Sequence, residues 1–135
     1  ACLRRNAPGP YQLQAAIAAV HADAVASDET DWSQIVSLYD HLYQLQPNDI
    51  VALNRAIAVA ELRGAEAGLD ALAGVDLDAY HLYHITRAEF LVRLGRTEPA
   101  LAAFDRAAEL TTNEVELRHL AVRRSDVERG NDAER

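Results

Sequence analysis

The sequence predicts an all-α protein, and three observations predict it. Apolar residues recur at i, i+3, i+4 and i+7 in one window after another. Nowhere does a β-branched run alternate with period two. The segments between the windows are short and carry Gly, Pro, Asn or Asp. At 135 residues the chain is sized for about one domain and can bury a continuous core.

The elements follow in order. Pro8-Gly9-Pro10 is a breaker cluster, and Pro10 suits the first position of a helix because its missing N–H costs nothing there. A first helix is expected over about 11–26, with Leu13, Ala16, Ile17, Val20 and Ala24 on one face. The polar stretch 27–30 interrupts it. Asp31, with Gln34 three residues on, then forms a capping box for a second helix reaching Gln46, whose face is Ile35, Leu38, Tyr39, Leu42 and Leu45. Pro47-Asn48-Asp49 stops that helix. A third is expected over 50–63 through Leu53, Ala56, Ile57 and Ala60, ending at Gly64.

A short fourth helix is expected over 66–72, then a loop over 75–78 and a fifth helix over 79–94 closed by Gly95. The fifth is apolar on two sides. One stripe is Tyr80, Tyr83, Ala88 and Leu91; the other is Leu82, Ile85, Val92 and part of Phe90, so most of its circumference should be covered. The sixth, 98–110, tolerates Pro99 in its first turn and carries Ala100, Leu101, Phe104, Ala107 and Ala108. Asn113 with Glu116 caps a seventh, on which Leu117, Leu120, Ala121 and Val127 are the buried candidates, and the last residues read as a disordered tail.

Composition narrows the function classes. Thirteen arginines against 21 acidic residues give a formal charge of -8, which argues against this chain gripping a phosphate backbone, since such domains need a clustered positive surface. No apolar run is long enough to cross a bilayer. A single cysteine, Cys2, forms no internal bridge and fits a reducing, cytoplasmic setting. Methionine is absent, so the chain reads as a piece of something longer, beginning with a linker over 1–10.

The helix spacing is that of a repeat. In the tetratricopeptide unit, about 34 residues form a helix-turn-helix with small residues where the helices cross and large ones between them. Taking Gly95 as the turn, Ala88 and Ala100 occupy the small sites, Leu91 the aliphatic neighbour, and Phe104 and Ala107 follow in register; only the closing proline is replaced, by Thr112. The whole chain is then one tetratricopeptide-like, right-handed helical array. It has three degenerate helical hairpins (11–47, 48–77 and 79–112), a capping helix over 113–129 and a tail over 130–135. About three repeats is the minimum such arrays need.

The strings GPYQLQAAIAAVHA, DETDWSQIVSLYDHL, VALNRAIAVAELRG and YHLYHITRAEFLVRLGR, in this order, resemble the C-terminal extension of bacterial sigma factors of the extracytoplasmic-function type, a group that includes actinobacterial members. The resemblance spans about Arg4 to Arg129. It implies that N-terminal sigma regions, absent from this chain, bind core RNA polymerase and promoter DNA. It further implies that the tetratricopeptide-like extension regulates or supports transcription initiation by protein contact, and that small ferredoxin-like proteins with a DGPF motif are candidate partners.

Candidate residues fall into two sets. First helices line the inner layer of such arrays, which places Gln14, His21, Asn54, Arg55, Tyr80, His81 and His84 in a groove suited to an extended peptide or a carboxylate. The alternative for Arg55 is an ion pair with Glu61 or Glu89. His81 and His84, three apart on one helix, offer two nitrogens to a metal, but zinc needs three or four ligands, so no metal and no cofactor is expected. The second set, Arg118, Arg123 and Arg124 together with Arg129, gives the seventh helix a basic side that either is solvated or docks an acidic partner. No nucleophile with its base, phosphate loop or isolated carboxylate pair is present, so no enzyme is expected. Two further readings stand beside the regulatory module: a small-molecule or metal-sensing pocket on the concave face, and a general scaffold.

Overall fold

The computed structural model describes residues 9, 10, 12, 14–17 and 31–133, and all regular structure among them is helical. Pro10, Gln12 and residues 14–17 are helical, with the Gly9 N–H donating to the Gln12 side-chain oxygen at 2.6 Å, so the third helical residue caps the end whose first residue is proline. The rest of the expected first helix, with Val20, His21 and Ala24, lies outside the described residues. Six helices follow: α1 (Trp32–Leu45), α2 (Asp49–Arg63), α3 (Ala65–Leu72), α4 (His81–Arg93), α5 (Thr97–Leu110) and α6 (Glu114–Ala133). None among the described residues is long and apolar enough to cross a membrane. The chain divides into two compact units, Ala1–Val75 and Asp76–Arg135.

In the first unit Asp31 caps α1 as the sequence announces, and Asn48, read only as part of the stop before the next helix, caps α2. Asp31 accepts from the Gln34 N–H at 3.0 Å and Asn48 from the Val51 N–H at 2.9 Å, each satisfying one orphan donor of its helix. Helix α2 packs against both α1 and α3. It therefore buries Val51, Ala58 and Val59 besides Leu53, Ala56 and Ala60, whereas Ile57 is exposed. The single-stripe expectation fails because two neighbours at different azimuths cover more than one stripe. The core joins Ile17, Ile35 and Val36 to Ala58 and Val59, with Trp32, Leu38, Tyr39, Ala67 and Ala71 against it. Leu45, expected on the α1 face, is exposed as the helix's last residue.

Gly64 alone joins α2 to α3, at φ 101° and ψ 166°, a region essentially restricted to glycine. Gly95 closes α4 differently. Its φ is 74°, its N–H donates to the Val92 carbonyl at 3.0 Å, and the Arg96 N–H donates to Leu91 at 2.9 Å; this pair of bonds is the Schellman motif. A methyl at either glycine would meet nothing within 4 Å, so any cost of alanine is purely conformational. Gly95→Ala is expected to lower stability by about 1–2 kcal/mol, the left-handed penalty, and Gly64→Ala by about 1–3 kcal/mol. Urea unfolding of the two variants checks this, and equal wild-type midpoints would contradict it.

In the second unit the loop runs two residues longer than expected. The Tyr80 N–H donates to Leu77 at 2.9 Å and His84 reaches back to the Asp78 carbonyl, holding Ala79 and Tyr80 in a turn ahead of α4. Helix α4 buries His84, Ala88, Phe90 and Leu91; Leu82, placed on a covered stripe by the sequence, is exposed in its first turn. The hairpin α4–α5 encloses Ala88, Ala100 and Ala107 completely and Phe104 almost so. Helix α6 is capped by Asn113, which accepts from the Glu116 N–H at 3.0 Å, and it adds Leu120 and Val127 to the cluster of Ala88, Ala103, Phe104 and Ala107. Ala121 is exposed, since it lies about 100° round the helix from Leu120. The tail expected from 130 is helical to Ala133: Gly130 is not in the positive-φ state that closes α2 and α4, so it continues the helix.

Candidate functional site

The groove residues separate according to helical azimuth. Asn54 and Arg55 are consecutive on α2 and so point about 100° apart. Asn54 joins Gln14 in a surface cleft of about 510 Å³ whose floor is Ile17, Leu42 and Val51. Gln46 and Asn48 complete a rim of four carboxamides, with Tyr39 beside them. Burial pushes the Tyr39 hydroxyl above its usual range, so it stays a neutral donor. The lining carries no formal charge. Carboxamides both donate and accept, and over an apolar floor they match the main chain of an extended peptide better than a carboxylate.

Arg55 faces elsewhere. It pairs with Asp40 of α1, and with Asp40, Tyr43 and Asp49 lines a second cleft of about 350 Å³. His21 lies outside the described residues.

In the second unit, Tyr80, His81 and His84 are adjacent but serve different contacts. His84 is buried and its Nε2–H donates to the Asp78 carbonyl at 2.7 Å, a carbonyl being able only to accept. Tyr83 meets the His84 ring edge-on at 5.0 Å, and Tyr80 meets His81 at 5.5 Å. His81 Nε2 lies 2.5 Å from a Glu116 carboxylate oxygen, linking α4 to α6. Each Nε2 thus faces an oxygen acceptor rather than a shared centre, and among the described residues no group of three or more His, Cys, Asp or Glu is placed to hold a metal.

The basic side of α6 is also partnered from within. Arg123 donates to both carboxylate oxygens of Glu89 on α4 at 2.8 and 2.6 Å, and these bonds hold its guanidinium above its ordinary range. Arg124 forks onto Asp105 of α5 at 2.7 and 3.2 Å and also reaches Glu128 at 2.7 Å, which raises it likewise. Arg129 pairs with Asp126. The expected docking face therefore contracts: Arg123 and Arg124 fasten α6 to α4 and α5 through bidentate pairs, while Arg118 lies exposed in a shallow cleft with Val115, His119 and Val122.

The sequence reading missed a cleft of about 410 Å³ among α4, α5 and α6, where Ile85, Phe104 and Leu120 lie beneath Glu89, His119 and Arg123. It also missed Tyr39 and Gln46 in the carboxamide cleft. Tyr39 on α1 and Gln46, the residue that follows its last turn, are seven apart, and that spacing, close to two helical turns, was the available signal.

The chain is 47% identical over 120 residues to an uncharacterized protein of Rhizobium meliloti. The match covers 87% of this chain and 28% of that protein's length, so the chain spans well under a third of the relative it matches. No family model and no solved structure matches it.

Proposed function

We propose that this chain is a tetratricopeptide-like, right-handed array that acts as the regulatory protein-interaction module of an extracytoplasmic-function sigma factor. The observation that carries the repeat reading is the α4–α5 hairpin. A Schellman turn at Gly95, fully enclosed alanines at positions 88, 100 and 107, and Phe104 inserted among them are the packing a tetratricopeptide register requires. The sigma-factor context is supported by the ordered strings from GPYQLQAAIAAVHA to YHLYH.

In this reading the parent protein's own sigma regions contact core RNA polymerase and promoter DNA in the cytoplasm. The present chain, with its charge of -8, takes no part in phosphate binding. The carboxamide cleft of Gln14, Gln46 and Asn54 receives an extended segment of a partner, for which a small DGPF-motif protein is the candidate. Neither catalysis nor a cofactor belongs to it.

The test is reconstituted transcription by core polymerase with the full-length parent and with the parent lacking this segment, on a template the parent initiates from. The expected result is a change in transcript yield from that promoter. Equal yields with and without the segment would overturn the proposal.

A further inference from the structure

The outer face of α6 carries exposed valines and charged side chains in one stripe. Helical geometry, at about 100° per residue, brings Val115, Arg118, His119, Val122, Asp126 and Arg129 into one stripe. The stripe lies away from Leu120 and Val127, which pack inward. Val115 and Val122 are 59% and 62% exposed, and at seven residues apart they flank Arg118 and His119 on the stripe. Neighbouring Arg123 and Arg124 are committed to Glu89 and Asp105; within the stripe Arg129 contacts one oxygen of Asp126, an exposed pair of small worth that leaves the other oxygen for a partner, so Arg118 and Asp126 set the stripe's pairing pattern.

That pattern is self-complementary about Val122. Arg118 stands four residues before it and Asp126 four after, about 6 Å along the axis on either side. A second copy laid antiparallel, with its two-fold axis at Val122, puts Val122 against its own equivalent and Arg118 opposite Asp126, twice. The same register places Val115 against the aliphatic stem of Arg129. A parallel arrangement would instead align Arg118 with Arg118 and Asp126 with Asp126, which is repulsive.

We propose that this chain forms an isologous, antiparallel dimer through the Val115–Val122–Asp126 face of α6, a contact that does not depend on the transcriptional reading above. One helix face per copy is at the small end of specific interfaces, so the association is weak and concentration-dependent.

Sedimentation equilibrium of the 135-residue chain from about 10 μM to about 1 mM tests it, over the range expected of a small interface. The mass should rise from 14.8 kDa toward twice that value. Arg118→Glu and Asp126→Arg should each move the transition to at least about tenfold higher concentration by facing like charges across the axis. The double variant Arg118→Glu/Asp126→Arg should restore it, and Val122→Arg, at a position exposed in the folded chain and checked by far-UV circular dichroism, should abolish it. A chain that stays monomeric, a dimer indifferent to the single reversals, or a double variant without restored association each overturns the proposal.

Discussion

Replacing Phe104 with alanine is expected to lower the unfolding free energy by about 3–5 kcal/mol. The side chain is 1% exposed and sits in a cluster with Ala88, Ala103, Ala107, Leu120 and Val127. Three of those five neighbours are alanines, which have no side-chain rotamers with which to move into the space. The cavity therefore stays open, and the loss falls toward the upper end of the range. Against a typical total of about 5–15 kcal/mol, little stability would remain in a domain of this size. Chemical denaturation followed by far-UV circular dichroism checks this. The single tryptophan, Trp32, packs in the first unit and does not probe this cluster. A loss below about 1 kcal/mol would mean that Phe104 is not the residue filling the hairpin.

Local chemistry made the helix boundaries legible. Asp31, Asn48 and Asn113 each stand one residue before a helix and each accepts the backbone N–H three residues on; Gly64 and Gly95 stand one or two residues past one. A cap depends on residues within four positions of it, and so it is written in the local sequence. Long-range partners are not written that way. Glu89 is one of the partners considered for Arg55, yet it receives the fork of Arg123, 34 residues away, while Arg55 finds Asp40 of the preceding helix. Several acidic residues stand near each arginine in sequence, and only the packing of α1 on α2 and of α6 on α4 selects among them.

The same reason divides the candidate groove. Membership in the first helix of each hairpin grouped Gln14, Asn54, Arg55 and the α4 histidines. Azimuth and neighbours then sent Asn54 to the carboxamide cleft, Arg55 to the α1 ion pair and the histidines to Asp78 and Glu116. The arginines of α6 were read as one basic side, whereas Arg123 and Arg124 pair with Glu89 and Asp105, because a charge count along one helix does not see the acidic residues on the helices beneath it. What remains exposed there, Arg118 between two valines, is defined by the pairing of its neighbours.

The small residues of the α4–α5 hairpin set the second large effect. Ala88 and Ala107 are fully enclosed and belong to one buried cluster, so neither site has room for three more carbons. Ala88→Leu and Ala107→Leu are each expected to cost about 1–3 kcal/mol through forced rotamers and a widened helix crossing. Because both enlargements compete for the same space, the double variant should lose more than the sum. That loss is comparable with the whole stability of a small domain, and the second unit should unfold at 25 °C. Ala102→Leu, on the same helix but exposed, is the control and should stay within about 0.5 kcal/mol of wild type. Thermal unfolding of the four chains separates the explanations. If Ala107→Leu behaved like Ala102→Leu, small size at position 107 would be a matter of composition, in a chain where alanine is abundant, and not a condition of the crossing. If it behaves like Ala88→Leu, the repeat register is a packing requirement: the helices approach that closely only because nothing larger than a methyl stands between them.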